Sequence, residues 1–336
     1  MAGRHSLTSL PYNRMPEHSS NAVPHPLVSV VTPSFNQARF LEETLASVYV
    51  QDYRPLEHIV IDAASSDGTV ELLRCWADVH NDSTYQLIWT SEPDRGMGEG
   101  VNKGLERARG GFVGWLNSDD VYFDRAVIRS AVSAFRNDLT VDVVYGDVAL
   151  ISEDSGLWMI WCFPEFRYQR ILRGYLIPQP TVFFRRRVIE DVRIDPELPV
   201  AHDAYVWLVA GQKYKFQHLH RVQAGDRDHS TRKTYEVADK WAERREQMYR
   251  SFGGSERSGT WVRNADRMTR ILMRMKGALH LMTLFCTRDW QRNLAFPMWI
   301  DSETRVLRRQ ASMRITNRPV LVRSTSARQS LAGRES

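Results

Sequence analysis

Three cysteines in 336 residues, Cys75, Cys162 and Cys286, are too few and too far apart for a disulfide framework or a cysteine zinc site, and they suit a reducing cytoplasm. No apolar run reaches the roughly 18 residues that a membrane span needs. The longest near-candidate, 277–287, is interrupted by His280. The first 26 residues have no apolar stretch of the kind a secretory signal carries, and their prolines and polar residues predict a disordered leader. A phosphate loop ending in Gly-Lys-Ser/Thr is absent, which demotes mononucleotide kinases. Gly96, Gly98, Gly100 and Gly104 do not make a dinucleotide fingerprint: Val101 stands where the third glycine is needed, and the run follows the third strand, not the first.

Charge is present but unevenly spread. Residues 241–336 hold 19 Lys+Arg against 8 Asp+Glu, a net +11, so the net +5 of the whole chain leaves about −6 on residues 1–240. A basic back third is drawn to anionic lipid or nucleic acid, but it holds few aromatics and no recognisable nucleic-acid fold, and no nucleic-acid partner is expected.

From Leu27 apolar runs alternate with amphipathic stretches. Strands are expected at 27–32, 58–61, 86–89 and 112–116, with helices at 40–50, 70–77 and 101–108 between them. Strands separated by helical patterns of this length imply right-handed βαβ units and a doubly wound, mostly parallel α/β sheet. Beyond Asp120 the pattern loosens: a helix at 124–135, strands at 142–145, 157–161 and 181–184, a helix at 204–210 and a closing strand at 213–219. Residues 240–290 read as helical. Met268, Leu272, Met275, Leu279 and Met282 share one face there, with Arg267, Arg270 and Arg274 on another.

Ligands of an open parallel sheet sit at the carboxyl ends of its strands. Four polar clusters occupy those ends: Thr32-Pro33-Ser34-Phe35-Asn36, Asp62 with the Ser65–Thr69 stretch, Glu92-Pro93-Asp94-Arg95-Gly96, and Asn117-Ser118-Asp119-Asp120. Asp62 directly follows a buried strand and can accept from a nucleobase imide or a ribose hydroxyl. Asp67 reads better as a turn and helix start. The carboxylates of the last cluster are hard oxygen ligands suited to Mg²⁺ or Mn²⁺. The same residues would also serve as an Asp-rich turn capping the next helix.

Together these residues resemble the family 2 glycosyltransferases, inverting enzymes of the GT-A fold. Val30–Asn36 is similar to the family's first-strand motif, Ile61-Asp62 through Thr69 to its second, and Glu92–Gly96 with Asn102-Lys103-Gly104 to the stretch near the donor pyrophosphate. Leu116–Asp120 resembles its Asp-x-Asp metal motif, Gln179–Arg185 its acceptor-side strand, and His202–Trp207 its Glu-Asp catalytic motif. Three positions depart from the pattern: Asn117 for the first aspartate, Ala63-Ala64 after Asp62, and His202 for the glutamate before Asp203.

The resemblance implies transfer of a sugar, hexosyl in kind, from a nucleoside-diphosphate sugar to an acceptor hydroxyl of a glycan or glycolipid. Asp203 is then the base, and Asp119 the main ligand of Mn²⁺ or Mg²⁺, with His229 as a further ligand or else a plain surface residue. Thr32, Pro33, Asn36, Asp62, Asp94, Arg95, Asn102, Lys103, Asn117 and Ser118 face the donor, although Lys103 also reads as a solvated helix charge. Gln179 lies on the acceptor side. The resulting organisation is a leader (1–26), a GT-A domain (27–235), an amphipathic helical extension (236–300) and a basic disordered tail (301–336). The enzyme is expected in the cytoplasm. The 265–286 stretch either meets the inner membrane face or packs on the catalytic domain. A nucleotidyltransferase would need a basic glycine-rich loop after the first strand, which Thr32–Asn36 lacks. A silent sugar-nucleotide-binding protein is the remaining rival.

Overall fold

The computed structural model describes residues 25–175, 177–195, 198, 201–230, 232, 242–254, 271–279 and 299–300. Ten strands join in one sheet: β1 (Val28–Ser34), β2 (Leu56–Asp62), β3 (Tyr85–Ser91), β4 (Phe112–Trp115), β5 (Val121–Tyr122), β6 (Val143–Ile151), β7 (Gly156–Trp161), β8 (Phe183–Arg185), β9 (Phe216–Arg227) and β10 (Trp299–Ile300). The helices are α1 (Ala38–Tyr49), α2 (Thr69–His80), α3 (Met97–Arg107), α4 (Val127–Asn137), α5 (Tyr168–Ile171), α6 (Arg186–Asp191), α7 (His202–Lys213) and α8 (Ala242–Ser251). Residues 271–279 are also helical.

The parallel half of the sheet runs β3-β2-β1-β4. Strands buried on both faces need apolar residues at nearly every position, which is why Val28–Val31 and Ile59–Ile61 read as runs without alternation. Val28, Val30, Leu56 and Val60 pack with Leu41, Leu45 and Val48 of α1 and Val127, Ile128 and Phe135 of α4. Val31, Ile59 and Ile61 turn to the other face, against Val101 and Leu105 of α3, Val188 of α6 and Trp207 of α7. This is the expected doubly wound α/β layering.

The second half is mixed. β8 joins β4 to β6 by antiparallel pairing, β7 is antiparallel to β6, and β9 runs parallel to β6 while bridging to β5. Here the sequence understates the order. β6 and β9 have 9 and 12 residues, far beyond the expected 142–145 and 213–219. Gln217, His218, His220, Arg221, Gln223 and Asp226 break the apolar pattern of β9 although half of the strand is buried. The expected strand at 181–184 opens as a 3-10 turn, Gln179–Thr181, and becomes strand at Phe183. The helix expected from Asp124 starts at Val127, because the Asp124 carboxylate accepts the Ala126 N–H (2.9 Å).

In the back third, the 271–279 helix leans on β7. Met273 packs against the cluster containing Leu157, Ile160 and Val222, and Gly277 lies against the Ile160 backbone. Leu272, Met275 and Leu279 are exposed, so this part of the apolar stripe does not pack on the catalytic domain among the described residues. Met268, Met282, Arg267 and Arg270, the leader and the basic tail lie outside the described residues.

Gly104 marks the closest approach of α3 to β1: a Cβ there would overlap Val31 and press on Ile61. Gly104→Ala is expected to lower stability by about 1–3 kcal/mol by overpacking, read as a lower urea midpoint with an unchanged m-value.

Candidate active site

The four polar clusters do meet along one edge. Ser34, Asp62 and Ser91 stand in register at the carboxyl ends of three parallel neighbours, and β4 places Leu116–Asp120 beyond the fourth. Polar groups that face no regular ladder must be satisfied locally, and each cluster does this differently.

At the first two strand ends, Asn36 adopts a left-handed backbone (φ 52°) and links two loops: its N–H donates to Ser65 Oγ (2.8 Å) and its Oδ1 accepts from Ser66 N–H (2.9 Å). Asp67 accepts from Ala38 N–H (2.9 Å) and from Thr69, so it sits at two helix starts, in agreement with its reading as a turn residue. Thr32 is fully buried with its hydroxyl 2.9 Å from His58 Nε2, and Pro33 lies beneath Gly100. Neither offers a ligand a side-chain polar group from that position. Asp62 has no exposed surface, and its carboxylate accepts from Ser65 N–H (2.9 Å), Ser65 Oγ and Ser91 Oγ (2.6 Å). In this arrangement Asp62 braces the loop at 63–66.

The third cluster departs most from expectation. Asn102 commits both ends of its amide to the Ile194 backbone, donating to its carbonyl (2.7 Å) and accepting from its N–H (3.0 Å). It clamps α3 to the segment before α7. Arg95 and Lys103 both pair with Glu99 (2.8 and 3.1 Å), and Lys103 also with Glu92 (3.0 Å). Hydrogen bonds from Arg95 first and Lys103 next hold the Glu99 carboxyl down at about 2. Lys103 thus lies between Glu92 and Glu99. Asp94 accepts from Gly96 N–H (2.8 Å), which fixes the turn into α3.

The fourth cluster is tied into a hydrogen-bond network. Asn117 donates to Gln179 Oε1 (2.8 Å) and accepts from Trp115 Nε1 (3.1 Å), while Gln179 donates to the Trp115 carbonyl (2.6 Å). Gln179 is buried and belongs to the same network as the 117–120 loop. Thr44 of α1 donates to the carbonyls of Ser118 (2.9 Å) and Asp120 (2.8 Å), and the Ser118 side chain is buried. The loop leads into β5, so it does not cap a helix; Asp124 stands at the approach to α4. His229 Nε2 lies 2.9 Å from Asp119 Oδ2, with the imidazole nearly buried and packed on Phe40. Two residues 110 positions apart, each read as a metal ligand, are therefore adjacent.

Sequence reading named Asp120 within its cluster but missed Asp226. Asp120 is buried and Asp226 half-buried beside Asp119. Burial, then the charges of Asp119 and Asp226, push the Asp120 carboxyl well above its usual range. Burial likewise raises Asp226 to about 6, opposed by its ion pair with Arg232 (2.7 Å). Arg232 also acts on Asp203, which sits in the first turn of α7 with its carboxyl pushed up by burial. His202 packs on Gly98 at the start of α3, and its Nε2 lies 2.7 Å from the Leu198 carbonyl. Carboxylate oxygens with one imidazole nitrogen are a donor set that Mn²⁺ or Mg²⁺ accepts.

Arg227 holds this crowd in place. It is fully buried and donates to the Asp119 carbonyl (2.9 Å), the Ser152 and Glu153 carbonyls (3.2 and 3.1 Å), Ser155 Oγ (2.9 Å) and Glu43 Oε2 (2.6 Å). Its own N–H donates to Asp120 Oδ1 (3.1 Å). The signal was the charged run Asp226-Arg227-Asp228-His229 at the end of a strand, from which only the histidine was singled out.

Residues 29–193 match the sequence model described as Glycosyl transferase family 2. This stretch is a family 2 glycosyltransferase domain. It is similar to the uncharacterized glycosyltransferase RP339 of Rickettsia prowazekii, 23% identical over 62% of this chain and 66% of that protein. It is also similar to the Escherichia coli enzyme WfgD, described as a UDP-Glc:alpha-D-GlcNAc-diphosphoundecaprenol beta-1,3-glucosyltransferase, 27% identical over 54% of this chain and 68% of that one. Among solved structures, S. aureus TarS 1–349 with UDP-GlcNAc superposes with a TM-score of 0.52 at 18% identity, covering 66% of this chain and 65% of that one. This likeness supports the GT-A fold. The chain spans 36% to 66% of the length of the first four curated relatives it matches.

Replacing Arg227 with methionine keeps the bulk but strands Glu43 and three carbonyls without their donor. The family 2 domain is expected to lose about 3–5 kcal/mol in chemical denaturation. A loss below about 1 kcal/mol contradicts the hub role.

Proposed function

We propose that this chain transfers a sugar from a nucleoside-diphosphate sugar to an acceptor hydroxyl with inversion at the anomeric carbon, in the assembly of a polysaccharide or glycolipid. The observation that carries the proposal is the pairing of Asp119 with His229 inside a carboxylate-rich crevice at the strand ends, close to the helix start that bears Asp203. The family 2 domain and the lipid-diphosphate substrate in WfgD's description support the same reading.

In this mechanism Asp119 and His229 hold Mn²⁺ or Mg²⁺, which when bound offsets the charge growing on the departing diphosphate. The 63–66 loop, set by Asp62 and Asn36, borders the nucleoside, with Asp94 turning the chain beside it. Gln179, locked to Asn117, lines the acceptor side. Asp203 takes the proton of the acceptor hydroxyl as that oxygen bonds to the anomeric carbon. The bond from that carbon to the diphosphate oxygen breaks, and its electron pair leaves with the diphosphate. A carboxyl raised by burial is a stronger base than a solvated one, and it accepts a proton in the transition state more readily. His202 is a poorer choice, since its Nε2 faces a carbonyl and its ring is packed on Gly98.

Transfer at the cytoplasmic face of a membrane fits the 271–279 helix. Leu272, Met275 and Leu279 are 53%, 64% and 65% exposed beside exposed Arg274 and Lys276. An apolar face flanked by cations suits the headgroup plane of anionic lipid. Among the described residues no helix is long and apolar enough to cross a membrane.

Asp203→Asn is expected to lower turnover by about 10²–10⁴-fold with donor affinity retained, and His202→Ala by much less; the reverse order of the two variants contradicts the assignment. Because Asp203 must be ionised to accept the proton, the rate falls on acidification along a limb whose midpoint lies above the ordinary carboxylate value of about 3.9. That limb is read from kcat against pH and is absent in Asp203→Asn. Vesicle flotation tests the surface: the full chain should float with anionic vesicles at low salt, and Leu272→Ser with Met275→Ser should remain in the dense fraction.

A further inference from the structure

Away from the crevice, Asp147, His218, His220 and Glu165 form a chain of contacts that the transfer reaction does not use. His218 is fully buried on β9 and its Nε2 lies 3.0 Å from Asp147 Oδ1, also buried, on β6. Its Nδ1 faces His220 Nδ1 at 3.0 Å, and His220 Nε2 lies 2.8 Å from Glu165 Oε1. On a straight strand, side chains two residues apart are separated by about 6.7 Å. Here the ring centroids are only 4.5 Å apart. The cause is a bulge: between Tyr145↔His218 and Asp147↔Val222 the register gains extra residues on β9, and His220 takes a left-handed backbone (φ 50°). A strained residue in an irregular strand brings the two imidazoles nose to nose.

The proton count along this chain does not close with neutral rings. Asp147 Oδ1 is placed to accept the Nε2–H of His218. That leaves His218 Nδ1 as a bare lone pair aimed at His220. Three contacts need three ring protons, whereas two neutral imidazoles carry two. One positive charge is missing between the rings and the two carboxylates. One donor atom each from Glu165, His218 and His220 lies within 4.8 Å of the other two. Two nitrogens bound to one tetrahedral zinc at about 2.05 Å are roughly 3.3 Å apart, close to the spacing present.

We propose that Glu165, His218 and His220 form a second cation site, separate from the catalytic crevice, that takes a divalent transition metal of the zinc type. Asp147 is its supporting carboxylate: it fixes the His218 tautomer so that Nδ1 is the ligating atom, the arrangement in which a carboxylate orients a metal-bound histidine. Two imidazoles favour zinc or cobalt over magnesium, whose preference is for oxygen. His220 and Glu165 are 61% and 60% exposed, and Glu165 also borders a cavity of about 530 Å³ with Lys215 and Arg221, so an ion can enter from solvent. The metal would tie the bulge of β9 to the segment after β7. That segment leads to α5, where Tyr168 donates to the Leu208 carbonyl of α7 (3.2 Å).

The test uses the full chain carrying Asp119→Ala, so that the crevice does not compete, stripped with chelator and titrated with Co²⁺. The expected result is one equivalent bound, with a visible absorption band, and a rise in melting temperature. Adding His220→Ala should weaken binding about tenfold or more and remove the band, and adding Glu165→Gln should weaken it in the same direction. His220 and Glu165 are exposed, so circular dichroism should show these variants folded. The proposal is overturned if the Asp119→Ala chain binds no Co²⁺, which would leave an extra proton as the missing charge. It is equally overturned if His220→Ala and Glu165→Gln leave the binding unchanged.

Discussion

A single buried guanidinium decides how the two halves of this sheet meet. Arg227 ends β9, and its three guanidinium nitrogens reach α1 through Glu43, the β6–β7 turn through Ser152, Glu153 and Ser155, and the 117–120 loop through Asp119. Isolated charges are rarely buried, because desolvation is costly unless every donor finds a partner. Here the partners come from three separate segments, so satisfying one side chain fixes their relative positions. His229, two residues further on, reaches Asp119 only because Arg227 has anchored the chain beside it.

The same constraint explains the electrostatics. Asp119, Asp120 and Asp226 are held close together by backbone contacts to Arg227 and by the β5–β9 pairing, not by attraction between them. Their mutual repulsion, added to burial, raises the Asp120 and Asp226 carboxyls. Such repulsion persists only where the scaffold enforces it. Asp203 enters from the opposite half on α7, whose start is set by Asn102 clamping Ile194 and by His202 packing on Gly98.

The parallel half of the fold was legible because its strands are buried on both faces and its helices are amphipathic: Val28–Val31, Ile59–Ile61 and the 41, 45, 48 spacing of α1 need no tertiary context. The strand-end clusters were legible for the same topological reason. What those residues touch was not. Whether Asn102 faces a donor or a backbone amide, and whether Lys103 meets a phosphate or Glu99, depends on side-chain partners that sequence spacing does not specify. β9 was hidden because its hydrogen bonding, not its hydropathy, makes it a strand; polar residues such as His218 and Arg227 are buried there with partners from β6 and the loops. The exposed Leu272, Met275 and Leu279 illustrate the converse: the spacing revealed the stripe, but only the packing of Met273 and Gly277 on β7 shows which face is turned outward.

The central claim is that the Asp119–His229 pair forms the cation site against which a donor diphosphate rests. Isothermal titration of a panel of nucleoside diphosphates into the full chain, with and without Mn²⁺, tests it most directly. The account predicts that at least one diphosphate binds about tenfold tighter or more with Mn²⁺, and that this gain disappears in Asp119→Ala while the variant remains folded. A Mn²⁺-dependent gain that survives Asp119→Ala, or no diphosphate binding in either condition, contradicts it.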